Sequence, residues 1–216
     1  MQASAQQILA LLPHTQCQRC GYPDCAAYAQ AIAVGEAAIN QCPPGGQQGV
    51  QRLAAATGLP ALPLNPTHGR EQERSVAYID EDWCIGCTLC IKACPVDAII
   101  GSNKFMHSII EPLCTGCELC IPACPVDCIE LAIATPGRTG WRAWTAEQAT
   151  EADKRYEQHS ARRPHDGDIL HKKHKNALET KLADPTLGST ITDSAVLDKK
   201  RAFIEAALAK SRARGL

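Results

Sequence analysis

Twelve of the chain's 13 cysteines fall into three sets of four, and thiols at such density point to metal chemistry. Two sets come from an internal repeat. The segment CIGCTLCIKACPVDA (84–98) returns thirty residues on as CTGCELCIPACPVDC (114–128), identical at 11 of 15 positions. Each copy has the spacing C-x2-C-x2-C-x3-C-P. Three thiolates so spaced wrap one face of an iron–sulfur cube, and the fourth, held by a Cys-Pro turn, reaches towards the other cluster. That crossing predicts one [4Fe–4S] cluster on Cys84, Cys87, Cys90 and Cys124, and another on Cys94, Cys114, Cys117 and Cys120. Gly86 and Gly116 let the backbone turn closely around the inorganic sulfides. Zinc sites pair separated C-x2-C knuckles instead. Cys128, whose counterpart in the first copy is Ala98, reads as a small strand residue, with a spare ligand or redox thiol as the alternative.

The third set is Cys17, Cys20, Cys25 and Cys42, spaced C-x2-C-x4-C-x16-C with Pro43 following. Spacing alone leaves both a third [4Fe–4S] cluster and a structural zinc open. Between Cys25 and Cys42 the stretch AAYAQAIAVGEAAIN predicts a helix apart from Gly35, with Tyr28, Ile32 and Ile39 turned inwards. So small a module would draw much of its folding free energy from metal.

The elements that must position these ligands follow from the flanking residues. Short β-favouring runs at 76–79, 98–100, 107–110 and 128–131 bracket the two loops. Each half therefore reads strand, cluster loop, short helix, strand, with Pro95 and Pro125 suited to the first turn of that helix. The expected class is α+β. Residues 76–133 resemble a bacterial two-cluster ferredoxin, with repeats 76–104 and 105–133 about a pseudo-two-fold axis. Residues 1–58 form a mainly helical iron–sulfur module, 59–75 a Pro/Gly-containing linker, and 134–216 a charged helical, partly disordered tail. The linker reads either as a tether that lets the third cluster swing or as a segment wrapping the surface. In the tail, Thr145 and Gln148 fit a capping box, His159, His165, His171 and His174 read as solvated, and Asp193 or Ser194 caps a last helix.

Composition narrows the function. The net charge of −1 divides into −6 over residues 1–137 and +5 over 138–216, an acidic body with a basic extension. There is no export signal and no run near the roughly 18 apolar residues of a membrane span. The expected setting is cytoplasmic, where thiols stay reduced. No dinucleotide loop, P-loop or nucleophile–base arrangement accompanies the cysteines, so any substrate chemistry belongs to a partner. Mixed charge without interleaved aromatics argues against nucleic acid.

The combination resembles the B subunit of the Rnf-type, ion-translocating electron transport complex, whose relatives include the SoxR-reducing system. CGYPDCAAYA (20–29) with CPPGG (42–46) is similar to that family's N-terminal module, and residues 84–131 to its ferredoxin module. The resemblance runs from about residue 5 to 145 and includes Trp141 and Trp144. It implies a third [4Fe–4S] cluster on Cys17, Cys20, Cys25 and Cys42. It also implies single-electron transfer between ferredoxin- or nicotinamide-linked partners, among Rnf-like subunits, a ferredoxin or a reductase. Family members usually begin with a membrane-anchoring helix, whereas here Met1 leads straight into an amphipathic segment. Peripheral association with the cytoplasmic face of the inner membrane is therefore expected. A free-standing polyferredoxin or an iron–sulfur redox sensor is the alternative.

Overall fold

Four short strands bracket the cysteine loops and pair in two antiparallel couples. β1 (Ser75–Ile79) pairs with β4 (Ile129–Ile133), and β2 (Ile99–Ile100) with β3 (Ser108–Ile109). In register, Ser75 faces Ile133 and Ile79 faces Ile129, so the outer strands of the two repeats close on each other while the inner strands meet between them. β-branched residues suit these ladders, and Val76, Ala77, Ile99 and Ile129 are buried in one cluster with the cysteines. The computed structural model describes residues 3–187 and 193–213. The side chains of 164–171, 174 and 210–213 lie outside the described ones, those of His165, His171 and His174 among them.

The chain divides into two compact units, Met1–His159 and Ser160–Leu216. Helix α1 (Ala5–Leu9) is opened by a full capping box between Ser4 and Gln7. It buries Ile8, and Leu12 follows just beyond its end. Helix α2 (Cys25–Ala33) is capped by Asp24, whose carboxylate accepts from the Ala27 amide at 2.7 Å. The predicted helix is shorter than expected. It stops ahead of Gly35, whose φ of +78° is the left-handed conformation that ends helices, and residues 36–40 turn back instead. Tyr28, Ile32 and Ile39 do face inwards, each at most 4 % exposed. The Tyr28 hydroxyl donates to the Ala38 carbonyl and accepts from the Gln41 amide, which fixes the return of Cys42.

The N-terminal module continues past Cys42 before the segment expected as a linker. A 3₁₀ turn over Pro43–Gly45 leads into α3 (Gly46–Thr57), which Gly58 closes at φ +74°. The segment beyond is tied down along its length rather than slung as a tether. Gln47 grips the Leu62 carbonyl and the Leu64 amide, Asn40 the Pro63 carbonyl, and Glu71 the Gln47 amide and the Thr139 hydroxyl.

The helices of the repeat also differ from expectation. α4 (Leu89–Ala93) lies before Cys94, so Pro95 follows a helix instead of starting one, and residues 119–123 make only turns. The physical reason is the restriction that proline imposes on the residue before it: Cys94 is extended at ψ 116°, which ends the helix there.

The capping box at Thr145 and Gln148 opens α5 (Ala146–Ala183) as expected. Its residues up to His159 belong to the first unit and bury Ala149, Ala152 and His159, so His159 is not solvated. In the second unit, the Asp193 carboxylate accepts from the Ala195 and Val196 amides and caps α6 (Ser194–Ala213), in which Ile204 and Leu208 are buried.

Candidate metal centres

Gly86 and Gly116 show how the repeat shapes its loops. Their φ values are +68° and +67°, and each lies against distant backbone: Gly86 against Phe105 of the second repeat, Gly116 against Ser75 at the start of β1. The positions thirty residues apart match in conformation too, Thr88 with Glu118 at φ +64° and +66°, and Asp97 with Asp127 both at +51°.

Inside these loops the cysteines gather across the repeats. Cys84, Cys87 and Cys90 share one cavity with Cys124 and Cys128. Cys114, Cys117 and Cys120 share a second with Cys94. Each cavity therefore draws cysteines from both copies of the repeat. The remaining walls are mostly apolar, with Ile79, Ile85, Val126 and Ile129 beside His107 in the first cavity, and Ala77, Val96, Ile99 and Ile109 beside Thr115 and Glu118 in the second. Among the described residues no three His, Cys, Asp or Glu side chains converge on the point a single metal ion would occupy.

Backbone amides are aimed at the sulfurs. The His107 amide points to Cys84 Sγ and the Ala77 amide to Cys114 Sγ, both at 3.4 Å, and the Ala98 amide points to Cys94 Sγ at 3.2 Å. The sequence marks His107 only as a strand residue, yet its ring is 1 % exposed with Nδ1 3.3 Å from Cys90 Sγ. Nothing in the residues near it signals that role. Its counterpart in the repeat is Ala77.

Burial raises the thiols: Cys90 to about 11, and Cys117 and Cys120 to about 12. Burial thus favours the protonated thiols, and a metal binding among them must displace those protons. The donor set, the enclosed apolar walls and the amides directed at sulfur all fit an iron–sulfur cluster.

The thirteenth cysteine, Cys128, is buried with Sγ 3.5 Å from that of Cys124. Its counterpart Ala98 is 1 % exposed, so alanine fits the equivalent place. Cys128→Ala is expected to leave iron and sulfide content unchanged, while Cys124→Ala lowers both. An iron loss in Cys128→Ala equal to that in Cys124→Ala would make Cys128 a ligand.

The third set is built by the N-terminal helices. Cys25 starts α2, its amide donating to the Gln16 carboxamide at 2.9 Å, and Cys42 sits where the chain turns into Pro43. Burial raises Cys25 to about 12 and Cys42 well above its ordinary value, and Cys17 and Cys20 act electrostatically on both.

This module is fastened to the second cluster loop. Thr115 and Thr15 are both buried, and the Thr115 hydroxyl donates to the Thr15 carbonyl at 3.0 Å. Arg19 pairs with Glu118 at 2.5 Å. The first part of α5 then bridges the two. On the module, Asp153 meets His14 at 2.8 Å and Tyr156 donates to Asp24 at 3.0 Å. On the repeat, Arg155 donates to the carbonyls of Val96 and Asp97, and His159 lies 2.8 Å from the Asp97 carboxylate.

Comparisons with known proteins agree with this anatomy. A family described as "4Fe-4S dicluster domain" matches residues 77–131, and one described as "Putative Fe-S cluster" matches residues 12–44. The B subunit of the ion-translocating oxidoreductase complex of Azoarcus sp. (strain BH72) is 61% identical over 136 residues, 63% of this chain and 74% of that protein. The corresponding B subunits of Hahella chejuensis and Thiobacillus denitrificans are 58% and 60% identical. Those matches span 64% and 49% of this chain, and 69% and 56% of the relatives. With two cysteine loops, an N-terminal four-cysteine module and identity of this extent, the chain belongs to the family formed by the B subunits of ion-translocating oxidoreductase complexes.

Proposed function

We propose that this protein is the iron–sulfur electron-transfer subunit of an Rnf-type complex and carries three [4Fe–4S] clusters. One would be held by Cys17, Cys20, Cys25 and Cys42, one by Cys84, Cys87, Cys90 and Cys124, and one by Cys94, Cys114, Cys117 and Cys120. The observation that carries the reading is that each of two mainly apolar cavities joins the three loop cysteines of one repeat with the Cys-Pro cysteine of the other, Cys128 also lining the first. The matched contacts thirty residues apart support a pseudo-two-fold relation between the halves.

A bound [4Fe–4S] cluster takes up or gives back one electron at a potential set by its surroundings. The chain's own residues provide those surroundings. The amides of Ala77, Ala98 and His107 donate to sulfur, mostly apolar walls limit water, and Gly86 and Gly116 let the loops turn closely at positive φ. Electrons would pass among Rnf-like subunits, a ferredoxin or a reductase. Among the described residues no helix is long and apolar enough to cross a membrane, and we propose peripheral association with the cytoplasmic face.

Anaerobic purification with iron, sulfide and zinc analysis tests the cofactors. Three clusters correspond to about twelve irons per chain. About eight irons with one zinc would remove the N-terminal cluster from the proposal. Reduction and reoxidation without loss of iron supports a carrier, whereas cluster breakdown as the sole response to oxidation would make the protein a sensor.

A further inference from the structure

The two cluster loops have equivalent outer faces, and only one of them is covered. The repeat matches Ile85 with Thr115, Thr88 with Glu118 and Phe105 with Ser75. Over the second loop sits the N-terminal module, so Thr115 is 4 % exposed and Glu118 is engaged by Arg19. Over the first loop the matching face is open: Trp83 is 69% exposed, Ile85 59%, Phe105 70% and Met106 56%. These residues form one surface, because the Lys104 amide donates to the Gly86 carbonyl at 2.9 Å and the Phe105 backbone lies against Gly86. Isolated exposed apolar residues are ordinary, but four large ones on two adjoining segments mark an interaction site.

The surface stands directly over a candidate metal centre. Trp83 precedes Cys84, and the amide next after Met106 is the one aimed at Cys84 Sγ. It is also charged on one side. Asp80, Glu81 and Asp82 run exposed into Trp83, against the cations of Lys92 and Lys104. An apolar centre with an acidic margin selects a partner with an apolar centre and a basic margin.

We propose that this face is the port through which the chain exchanges electrons with an external redox protein, one that presents the apolar edge of its cofactor within a ring of Lys and Arg. The proposal rests on the electron-carrier reading above. It places the set on Cys84, Cys87, Cys90 and Cys124 next to the port, the set on Cys94, Cys114, Cys117 and Cys120 behind it, and the N-terminal cysteine set beyond that.

The test uses the full reduced holoprotein in stopped flow against oxidised cytochrome c, a small basic protein with an exposed apolar haem edge, and separately against a viologen dye. Each cluster oxidised passes one electron to one ferric haem. The wild-type rate with cytochrome c is expected to fall as salt rises. Trp83→Ser with Phe105→Ser should lower it at least tenfold at unchanged iron content, and Asp80→Asn with Glu81→Gln and Asp82→Asn should flatten the salt dependence. Val34→Ser with Ile133→Ser, equally exposed at 57% each but elsewhere, should leave it unchanged. Equal rates for all variants would overturn the port. A rate that falls as the chain itself is concentrated would put a second copy on this face and overturn it as well. A wild-type protein that holds its iron yet exchanges electrons with neither cytochrome c nor the dye would overturn the carrier reading itself.

Discussion

Gly116→Ala is expected to cost the protein one cluster, lowering iron after anaerobic reconstitution from about twelve to about eight per chain. Two penalties fall on one methyl group. Gly116 has φ +67°, where a side chain costs roughly 1–2 kcal/mol. Its Cβ would also stand within the van der Waals envelope of the Ser75 carbonyl oxygen. That oxygen belongs to β1, which is paired along its length with β4 and has little freedom to retreat. The loop must give way instead, and it carries Cys114 and Cys117. At Gly86 the φ is the same, and the added carbon would lie 2.6 Å from the Phe105 nitrogen and 2.7 Å from its oxygen. Phe105, however, sits in an exposed turn outside the strands. Gly86→Ala should therefore lose less iron than Gly116→Ala. Gly137→Ala separates the causes, since Gly137 has φ +72° with nothing within 4 Å of the added carbon. It should keep the wild-type iron content. Full iron content in Gly116→Ala would show that β1 yields and that the close approach is not a constraint on the cluster loop.

Much of the metal chemistry was legible because ligand spacing is a local property. Four cysteines within eleven residues and a following proline state their geometry without reference to the rest of the chain, and the β-branched runs beside them place the strands. Errors arose where a backbone detail overrode composition. Gly35 stops α2 in an alanine-rich stretch that favours helix, and Pro95 ends α4 at Cys94 rather than starting a helix. The docking of the N-terminal module left no local mark at all. Thr15 meets Thr115, Tyr156 meets Asp24 and Trp141 meets Leu11 across a hundred residues or more of chain. The start of α5 carries alternating charge and reads as a solvated helix. Its inner face is small, made of Ala149, Ala152 and His159, and too weak in hydrophobic pattern to announce burial.

That docking depends most on Trp141, and Trp141→Ala is expected to loosen the N-terminal module by about 3–5 kcal/mol. The ring is 5 % exposed and rests against Gly49 of α3, where a Cβ would come 3.3 Å from it. Its Nε1 donates to the Leu11 carbonyl at 3.0 Å, and the Arg52 guanidinium lies 4.2 Å from the ring centroid. One side chain thus joins the segment after α1, the face of α3 and the 3₁₀ turn over Gly140–Ala143. Removing it deletes a buried indole, a hydrogen bond and a cation–π contact together. Hydrogen exchange measures the result, because each 1.4 kcal/mol is a tenfold change in the opening equilibrium. Amides of α1 and of Leu11 and Leu12 should exchange about a hundredfold faster or more, while β1 and β4 keep their protection. Trp141→Phe retains most of the bulk and loses the donor, so it should cost only about 1 kcal/mol. Equal protection in wild type and Trp141→Ala would mean that the Thr15–Thr115 and Arg19–Glu118 contacts, with Asp153 and Tyr156 of α5 on His14 and Asp24, hold the module without the tryptophan. In that case the route between the N-terminal cysteines and the second loop is fixed by those contacts alone.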